Sequence, residues 1–208
     1  MCDQAEERIC PAQETSEKER TQNMSTQTAR RQAGYTYDDY LNFPDDIRCE
    51  IVNGEIYDMT PSPTSKHQLV SGQIHHLVKT HLENADSSCQ VFVAPLDVIL
   101  AEDQVVQPDV IIVCDREKVR QFIFGAPDAI FEIASPSTIL KDRREKMELY
   151  ERFRVVEYFL VDPDAEFVEK YALDGGKYNG RVGIYAGEDK FMIDAIGLEV
   201  MARKLFTF

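Results

Sequence analysis

The chain has 208 residues and carries 23 Lys and Arg against 37 Asp and Glu, which gives a net charge of −14. This length predicts one folded domain, and its 43% hydrophobic and 29% charged residues are typical of a globular protein. No apolar run approaches the roughly 18 residues that a membrane-spanning helix needs. The acidic balance argues against a broad nucleic-acid-binding surface, because affinity for phosphate backbones depends mainly on Lys and Arg.

The first 34 residues are rich in Glu, Gln, Thr, Ser and Arg and contain almost no large apolar side chain. Such a segment cannot bury enough surface to offset chain entropy, so residues 1–34 are predicted to be a disordered tail and residues 35–208 the folded domain. The N-terminus also lacks the apolar core of a signal peptide. Five cysteines without CxxC spacing favour a reducing compartment over a disulfide framework, and we therefore expect a cytoplasmic protein.

The folded part is predicted to begin with a short helix capped by Thr36. Asn53-Gly54, between two alternating segments, predicts a tight β-hairpin. Glu50 lies within the first strand of this hairpin, which is an unusual place for an acid. After a Pro-Ser-Pro-Thr break, apolar residues recur at intervals of three, four and five over residues 65–84, and this pattern predicts an amphipathic helix.

The remaining elements are mostly strands, because short β-branched runs alternate with turn residues. Two apolar runs, 110–113 and 129–133, are predicted to be buried strands, and the first ends a longer predicted strand over residues 105–113. Further strands are predicted over residues 89–94, 96–100, 157–161, 166–173, 177–185 and 198–206. A second long helix is predicted over residues 142–153. This order of elements predicts an α/β (α+β) fold in which a mixed β-sheet is flanked by helices.

Several acids and one lysine are candidates for a hydrolytic metal site. Asp109 and Glu132 each lie at one end of a buried strand, where a carboxylate without a partner is costly. If the two strands are neighbours, these acids meet at one sheet edge, and their oxygens suit Mg²⁺ or Mn²⁺ rather than Zn²⁺. Lys146, from the following helix, would orient the attacking water or stabilise the transition state. Glu50 could complete the shell, and Asp97 could face the same edge.

Each candidate also has an ordinary structural interpretation. Pro-Asp pairs are common in loops, so Asp109 could simply cap a strand or turn. Lys146 could be a solvated residue of a charge-rich helix, and Glu50 could be a strand-edge charge. The residues alone leave these alternatives open.

Several segments carry a resemblance to a known family. Gln107-Pro-Asp109 followed by Glu132-Ile-Ala134 resembles the PD-(D/E)xK nuclease motif. The segments CEIVNGEIYDMTPSPTSKH, FEIASPST and KDRREKMELYERFRVVEYFLVDP resemble the Uma-type restriction endonucleases, a large bacterial family long catalogued as a domain of unknown function. The resemblance covers about residues 35 to 205 and keeps the family's order of segments.

The resemblance implies a restriction-endonuclease-like core with Mg²⁺ bound by Asp109 and Glu132. Ala134 stands where the superfamily's motif has a lysine, and Lys146 matches the family's lysine from the following helix. Glu50 matches an acidic position that helps to build the site in related nucleases. His67 matches a family histidine at the start of the long helix.

The sequence therefore predicts a Mg²⁺-dependent endonuclease that hydrolyses DNA and acts as a homodimer when it cuts both strands. Two alternatives remain at this point. The net charge and Ala134 favour a catalytically inactive binding or assembly module with the same fold. A metal-dependent hydrolase of small phosphorylated molecules would tolerate an acidic surface better than a DNA-cleaving enzyme does.

Overall fold

The computed structural model describes residues 34–44, 47–59, 62–134, 142–180 and 182–208. The predicted N-terminal tail lies outside these ranges except for its last residue. The helices are α1 (Tyr37–Tyr40), α2 (Ser65–Asn84) and α3 (Met147–Arg152), and a π-helical turn over Asp142–Lys146 leads into α3. None of the helices in the described ranges combines the length and apolarity that crossing a bilayer requires.

The strands of the described ranges follow in chain order. They are β1 (Cys49–Val52), β2 (Glu55–Asp58), β3 (Gln90–Val93), β4 (Val98–Ala101), β5 (Gln104–Val106), β6 (Val110–Val113), β7 (Ile123–Phe124), β8 (Ala129–Ile133), β9 (Glu157–Asp162), β10 (Phe167–Asp174), β11 (Lys177–Tyr178), β12 (Gly183–Ala186), β13 (Lys190–Ile193) and β14 (Leu198–Met201).

These strands form two large sheets and a small hairpin. One sheet has the order β2-β1-β5-β4-β7, and the other has the order β11-β10-β9-β8-β6-β3, with β12 paired to β10. Both are mixed, because β4 runs parallel to β7 and β8 runs parallel to β9 while the other neighbours are antiparallel. The predicted mixed α+β architecture is confirmed.

The seven-stranded sheet is buried on both faces. Its face with Ile111, Ile130 and Tyr158 packs against the five-stranded sheet and α3. The opposite face packs against α2 and the β13–β14 hairpin. The α1 region covers the outer side of the five-stranded sheet around Ile51 and Val105. The space between the two sheets is therefore closed at one side by α3, which is the helix that follows Lys146.

Local chemistry explains the elements that the sequence predicts well. Thr36 caps α1 in a capping box with Asp39. Asn53 and Gly54 have φ of 54° and 73°, the left-handed conformation that a tight hairpin turn requires at both central residues. Helix α2 spans Ser65–Asn84, as predicted, and Thr64 accepts a hydrogen bond from the His67 amide as its N-cap.

Several predicted boundaries are wrong. The predicted strand over residues 105–113 is two strands in different sheets, because the chain breaks at Gln107-Pro108 and Pro108 has no amide to continue a ladder. Residues 177–185 also divide into two strands, and the predicted last strand ends at Met201 and turns into a 3₁₀ helix. Strand β13 was not predicted.

The expectation of reduced cysteines is also wrong for one pair. Cys89 and Cys114 form a disulfide. They flank the antiparallel strands β3 and β6, in which Gln90 pairs with Val113, so continuing this register places the two cysteines opposite each other.

Cys49 is a buried free thiol whose pKa is raised to about 11, chiefly by burial.

Candidate active site

Glu132 is a carboxylate buried inside the sheet. It lies on β8 between Phe131 and Ile133 and is 3% exposed. Alternation along the strand turns it to the face shared by Ile130 and Ala134, which packs against α3. Among the residues that the structure describes, Lys146 Nζ at 2.9 Å and the Tyr150 hydroxyl at 2.6 Å donate hydrogen bonds to its Oε1. Both donors come from the segment of α3 and the turn that leads into it, so this segment fixes the Glu132 carboxylate.

Lys146 joins the two sheets. Its side chain is 7% exposed, and its Nζ also lies 3.0 Å from Oε1 of Glu50 on β1 of the other sheet. The same Glu50 oxygen accepts a hydrogen bond from the backbone N–H of Gln107 at 3.0 Å. The backbone of Gln107 therefore contacts this carboxylate at the point where the chain leaves the five-stranded sheet.

Asp109 lies opposite Glu132. Strands β6 and β8 are antiparallel with Val110 facing Phe131, and continuing this register pairs Asp109 with Glu132. Asp109 Oδ2 accepts a hydrogen bond from the Ile133 amide at 2.7 Å and lies 3.1 Å from His67 Nε2 at the start of α2. The structure therefore places Asp109 and Glu132 at the adjoining ends of two neighbouring strands, which is the condition under which the sequence predicts that they meet.

Helix packing places the lysine. The π-helical turn ends at Lys146, and α3 continues with Leu149 and Tyr150 buried against the sheet. Residues four apart on a helix lie on the same face, so Lys146 and Tyr150 both reach Glu132. The ammonium therefore lies on the same side of the seven-stranded sheet as Glu132.

Tyr150 is a member of the cluster that sequence reasoning missed. Its side chain is fully buried, and its pKa is raised well above the ordinary value of 10, first by burial and then by Glu132 and Glu50. It therefore remains a hydroxyl that donates to Glu132. The spacing of Lys146 and Tyr150 could have indicated this partner.

This shift predicts a loss of stability in alkali. Because the folded-state pKa of Tyr150 is raised, its contribution is complete below the unfolded value of about 10 and is lost as the pH rises towards the folded value. Tyr150→Phe should therefore lose stability above about pH 10 less steeply than the unaltered chain, by about 1.4 kcal/mol per pH unit. Urea unfolding at a series of pH values measures this, and parallel curves for the two chains would contradict it.

Asp97 lies in an adjoining cluster. It is 6% exposed, and its Oδ1 accepts hydrogen bonds from the Tyr40 hydroxyl at 2.9 Å and from Gln107 Nε2 at 2.7 Å. Burial and Asp97 together raise the pKa of Tyr40. Gln107 thus connects Asp97 to Glu50, and Asp97 supports the site through Gln107.

The donor set can be compared with what a metal ion requires. No group of three or more His, Cys, Asp or Glu side chains is arranged to hold a metal in the part of the chain that the structure describes. Asp109 and Glu132 instead offer two carboxylates on adjacent strands. Mg²⁺ is usually held by one or two carboxylates with water completing its shell, so this pair fits Mg²⁺ better than Zn²⁺.

Comparisons with known proteins identify the family and the fold of the chain. The family model Uma2, described as "Putative restriction endonuclease", matches residues 36–200. "Uncharacterized protein slr1290" of Synechocystis sp. strain PCC 6803 is 29% identical over 154 residues, covering 72% of this chain and 78% of that protein. A crystal structure described as a putative nuclease belonging to DUF820 from Anabaena variabilis has a similar fold, with a TM-score of 0.68, 18% identity and coverage of 82% of this chain and 97% of that one. Because the family model spans most of the sequence, the chain belongs to the Uma2 family.

Proposed function

We propose that this chain is a Mg²⁺-dependent endonuclease that hydrolyses phosphodiester bonds in DNA. The observation that carries the proposal is the position of the Lys146 ammonium, which lies 2.9 Å from Glu132 and 3.0 Å from Glu50 at the strand pair that bears Asp109. Carboxylates that can hold a divalent ion, beside a fixed ammonium that can stabilise negative charge on a phosphate, supply two of the means by which phosphodiester hydrolysis is catalysed. Membership of the Uma2 family supports the same class of reaction.

Asp109 and Glu132 are the residues that would hold the metal ion. When bound, Mg²⁺ would activate water for attack and offset the negative charge that develops on the phosphate. Mn²⁺ suits the same oxygen donors. The two acids are already oriented, since Glu132 accepts from Lys146 and Tyr150 and Asp109 accepts from the Ile133 amide.

Lys146 supplies the fixed positive charge. In the reaction, water gives up a proton and its oxygen forms a bond to phosphorus, while the ester P–O bond breaks and the leaving oxygen takes up a proton. Negative charge accumulates on the phosphate oxygens, and an ammonium already held in place stabilises that charge without reorganising. Glu50 holds Lys146 from the second sheet, and Gln107 in turn holds Glu50 through its amide.

The metal dependence can be tested on supercoiled plasmid DNA. We expect nicked and linear products with Mg²⁺ or Mn²⁺ and none with excess EDTA, because the two carboxylates need a divalent ion to activate water. Calorimetry with Mn²⁺ would report binding independently of turnover. Cleavage that continues in EDTA, or hydrolysis of nucleotides without cleavage of DNA, would contradict the proposal.

For double-strand cuts we propose a homodimer, with each copy cutting one strand.

A further inference from the structure

A cationic cavity lies beyond the C-terminal end of α3. It has a volume of about 500 Å³, and its lining residues are Glu148, Glu151, Arg152, Arg154, Gly176 and Lys177. Three of these side chains are cationic and two are acidic, so the lining carries a net charge of +1 in a chain of net charge −14. The lining is therefore locally positive on a protein whose overall charge is strongly negative.

Arg154 is held at this cavity by the end of the helix. The Val155 amide donates to the Tyr150 carbonyl, and the Arg154 amide donates to the Glu151 carbonyl. This pair of hydrogen bonds is a common way for a helix to end, and it places the residue after the helix, here Arg154, in a left-handed conformation. Its φ is +63°, and glycine is the residue usually found there. The chain thus carries an arginine where conformation favours glycine.

The turn between β10 and β11 makes room for the guanidinium. Gly176 has φ +86°, and a Cβ added there would lie 3.1 Å from Arg154 Nη1 and 3.6 Å from its Cζ. Any side chain at this position would press against the arginine. The glycine therefore allows the Arg154 guanidinium to lie close over the backbone of the turn.

The cations that line the cavity differ in their partners. Lys177 Nζ contacts Glu151 Oε1 at 2.6 Å, and Glu151 Oε2 accepts from the Tyr178 amide at 2.6 Å. These contacts lower the pKa of Glu151, the hydrogen bond from Lys177 contributing most. Arg152 donates to the neutral Asn53 side chain at 2.8 Å. Within the described residues, neither Arg152 nor Arg154 forms an ion pair with an acid.

The cavity adjoins the candidate active site through shared elements. Arg152 lies on α3, which also carries Tyr150 and directly follows Lys146. Its partner Asn53 lies in the hairpin turn that follows β1, the strand of Glu50. An anion bound in the cavity would therefore rest on two of the elements that build the site.

We propose that this cavity is a second anion site, in addition to the candidate active site where the phosphate is cut, and that it binds a backbone phosphate of the DNA at a distance from that bond. The inference rests on the proposed function, since the phosphate belongs to the same polynucleotide. Arg154 and Arg152 donate to the phosphate oxygens, and Lys177 adds positive charge at the rim. Arginine suits this contact because its planar donors match the oxygens of a phosphate.

The test is Arg154→Gly, which removes the guanidinium while giving the left-handed position its preferred residue. Fluorescence anisotropy with labelled duplex DNA in EDTA measures binding without cleavage. We expect Arg154→Gly to bind about tenfold more weakly and to reduce the slope of log affinity against log salt by about one. Arg154→Lys should recover part of the affinity. Thermal melting should show Arg154→Gly at least as stable as the unaltered chain.

Lys204→Ala is the matched control, because Lys204 lines a separate cavity beside α2 and β14. It should bind DNA with the affinity and salt slope of the unaltered chain. The inference is overturned if Arg154→Gly binds DNA normally, or if Lys204→Ala weakens binding as much.

Cleavage with Mg²⁺ separates the two proposals. A chain that cuts DNA while Arg154→Gly binds it normally retains the proposed function and loses only the second anion site. A chain whose DNA binding depends on Arg154 but that cuts nothing retains the anion site and loses the proposed function. An unaltered chain that neither binds DNA in a salt-sensitive manner nor cuts it overturns both.

Discussion

Glu132→Gln should reduce Mg²⁺-dependent DNA cleavage by at least about a hundredfold. The neutral amide of glutamine binds a divalent ion poorly, and the substitution removes the negative charge with which the Glu132 carboxylate would hold the ion. The amide oxygen can still accept from Lys146 and Tyr150, so the fold should be retained. The measurement is the rate of plasmid nicking at saturating Mg²⁺, with DNA binding in EDTA measured in parallel. Binding in EDTA should change little, because the role proposed for Glu132 is to hold the ion and not the DNA.

Glu157→Gln is the matched control for this substitution. Glu157 is also a buried glutamate with a lysine partner, because its Oε1 lies 2.7 Å from Lys170 Nζ. Its carboxylate accepts from the amides of Asp194 and Ala195, which ties β9 to the β13–β14 hairpin rather than to the candidate site. Cleavage by Glu157→Gln should therefore match that of the unaltered protein after correction for the folded fraction. Equal losses in both variants would show that the effect of Glu132→Gln is structural.

Lys146→Met should destabilise the fold by about 3–5 kcal/mol, because it removes the cation from between two buried carboxylates. Glu50 and Glu132 are 2% and 3% exposed, so water cannot replace the ammonium easily. Adding Glu50→Gln to Lys146→Met should restore a large part of the loss, since one buried charge is then removed. The free energies come from urea unfolding of the two single variants, the double variant and the unaltered chain, analysed as a double-mutant cycle.

Lys190→Met is the comparison for this series. Lys190 contacts Glu199 at 2.7 Å, but its side chain is 54% exposed, and surface ion pairs contribute only about 0–1 kcal/mol. A Lys146→Met variant no less stable than Lys190→Met would argue against the position assigned to the ammonium. The same would follow if the double variant recovered nothing.

The elements that the sequence predicts best are governed by local chemistry. The hairpin at Asn53-Gly54 and both ends of α2 follow from conformational preference, capping and apolar spacing within a few residues. The run Ala129–Ile133 is predicted as a buried strand with the bounds that β8 has. The sequence also predicts that Asp109 and Glu132 lie close together, on the condition that their strands are neighbours.

Other features depend on contacts between distant segments. The sequence does not show that the chain passes from one sheet to the other at Gln107-Pro108, because strand propensity is high on both sides of that break. The contact between Lys146 and Glu50 requires both sheets to be packed against each other. The Cys89–Cys114 pairing likewise depends on the register of β3 with β6, which composition does not contain.

The two-sheet origin of the cluster has a consequence for the order in which the chain acquires its chemistry. Glu50 comes from the first hairpin, Asp109 and Glu132 come from the middle of the chain, and Lys146 arrives only with the segment after them. A nascent chain that has formed the early hairpin alone holds an acid but neither its counter-ion nor the opposing pair. Under the proposed function, competence to cut would therefore arise only when the segment that carries Lys146 packs against both sheets. Species that form before that contact would leave the surrounding nucleic acid intact.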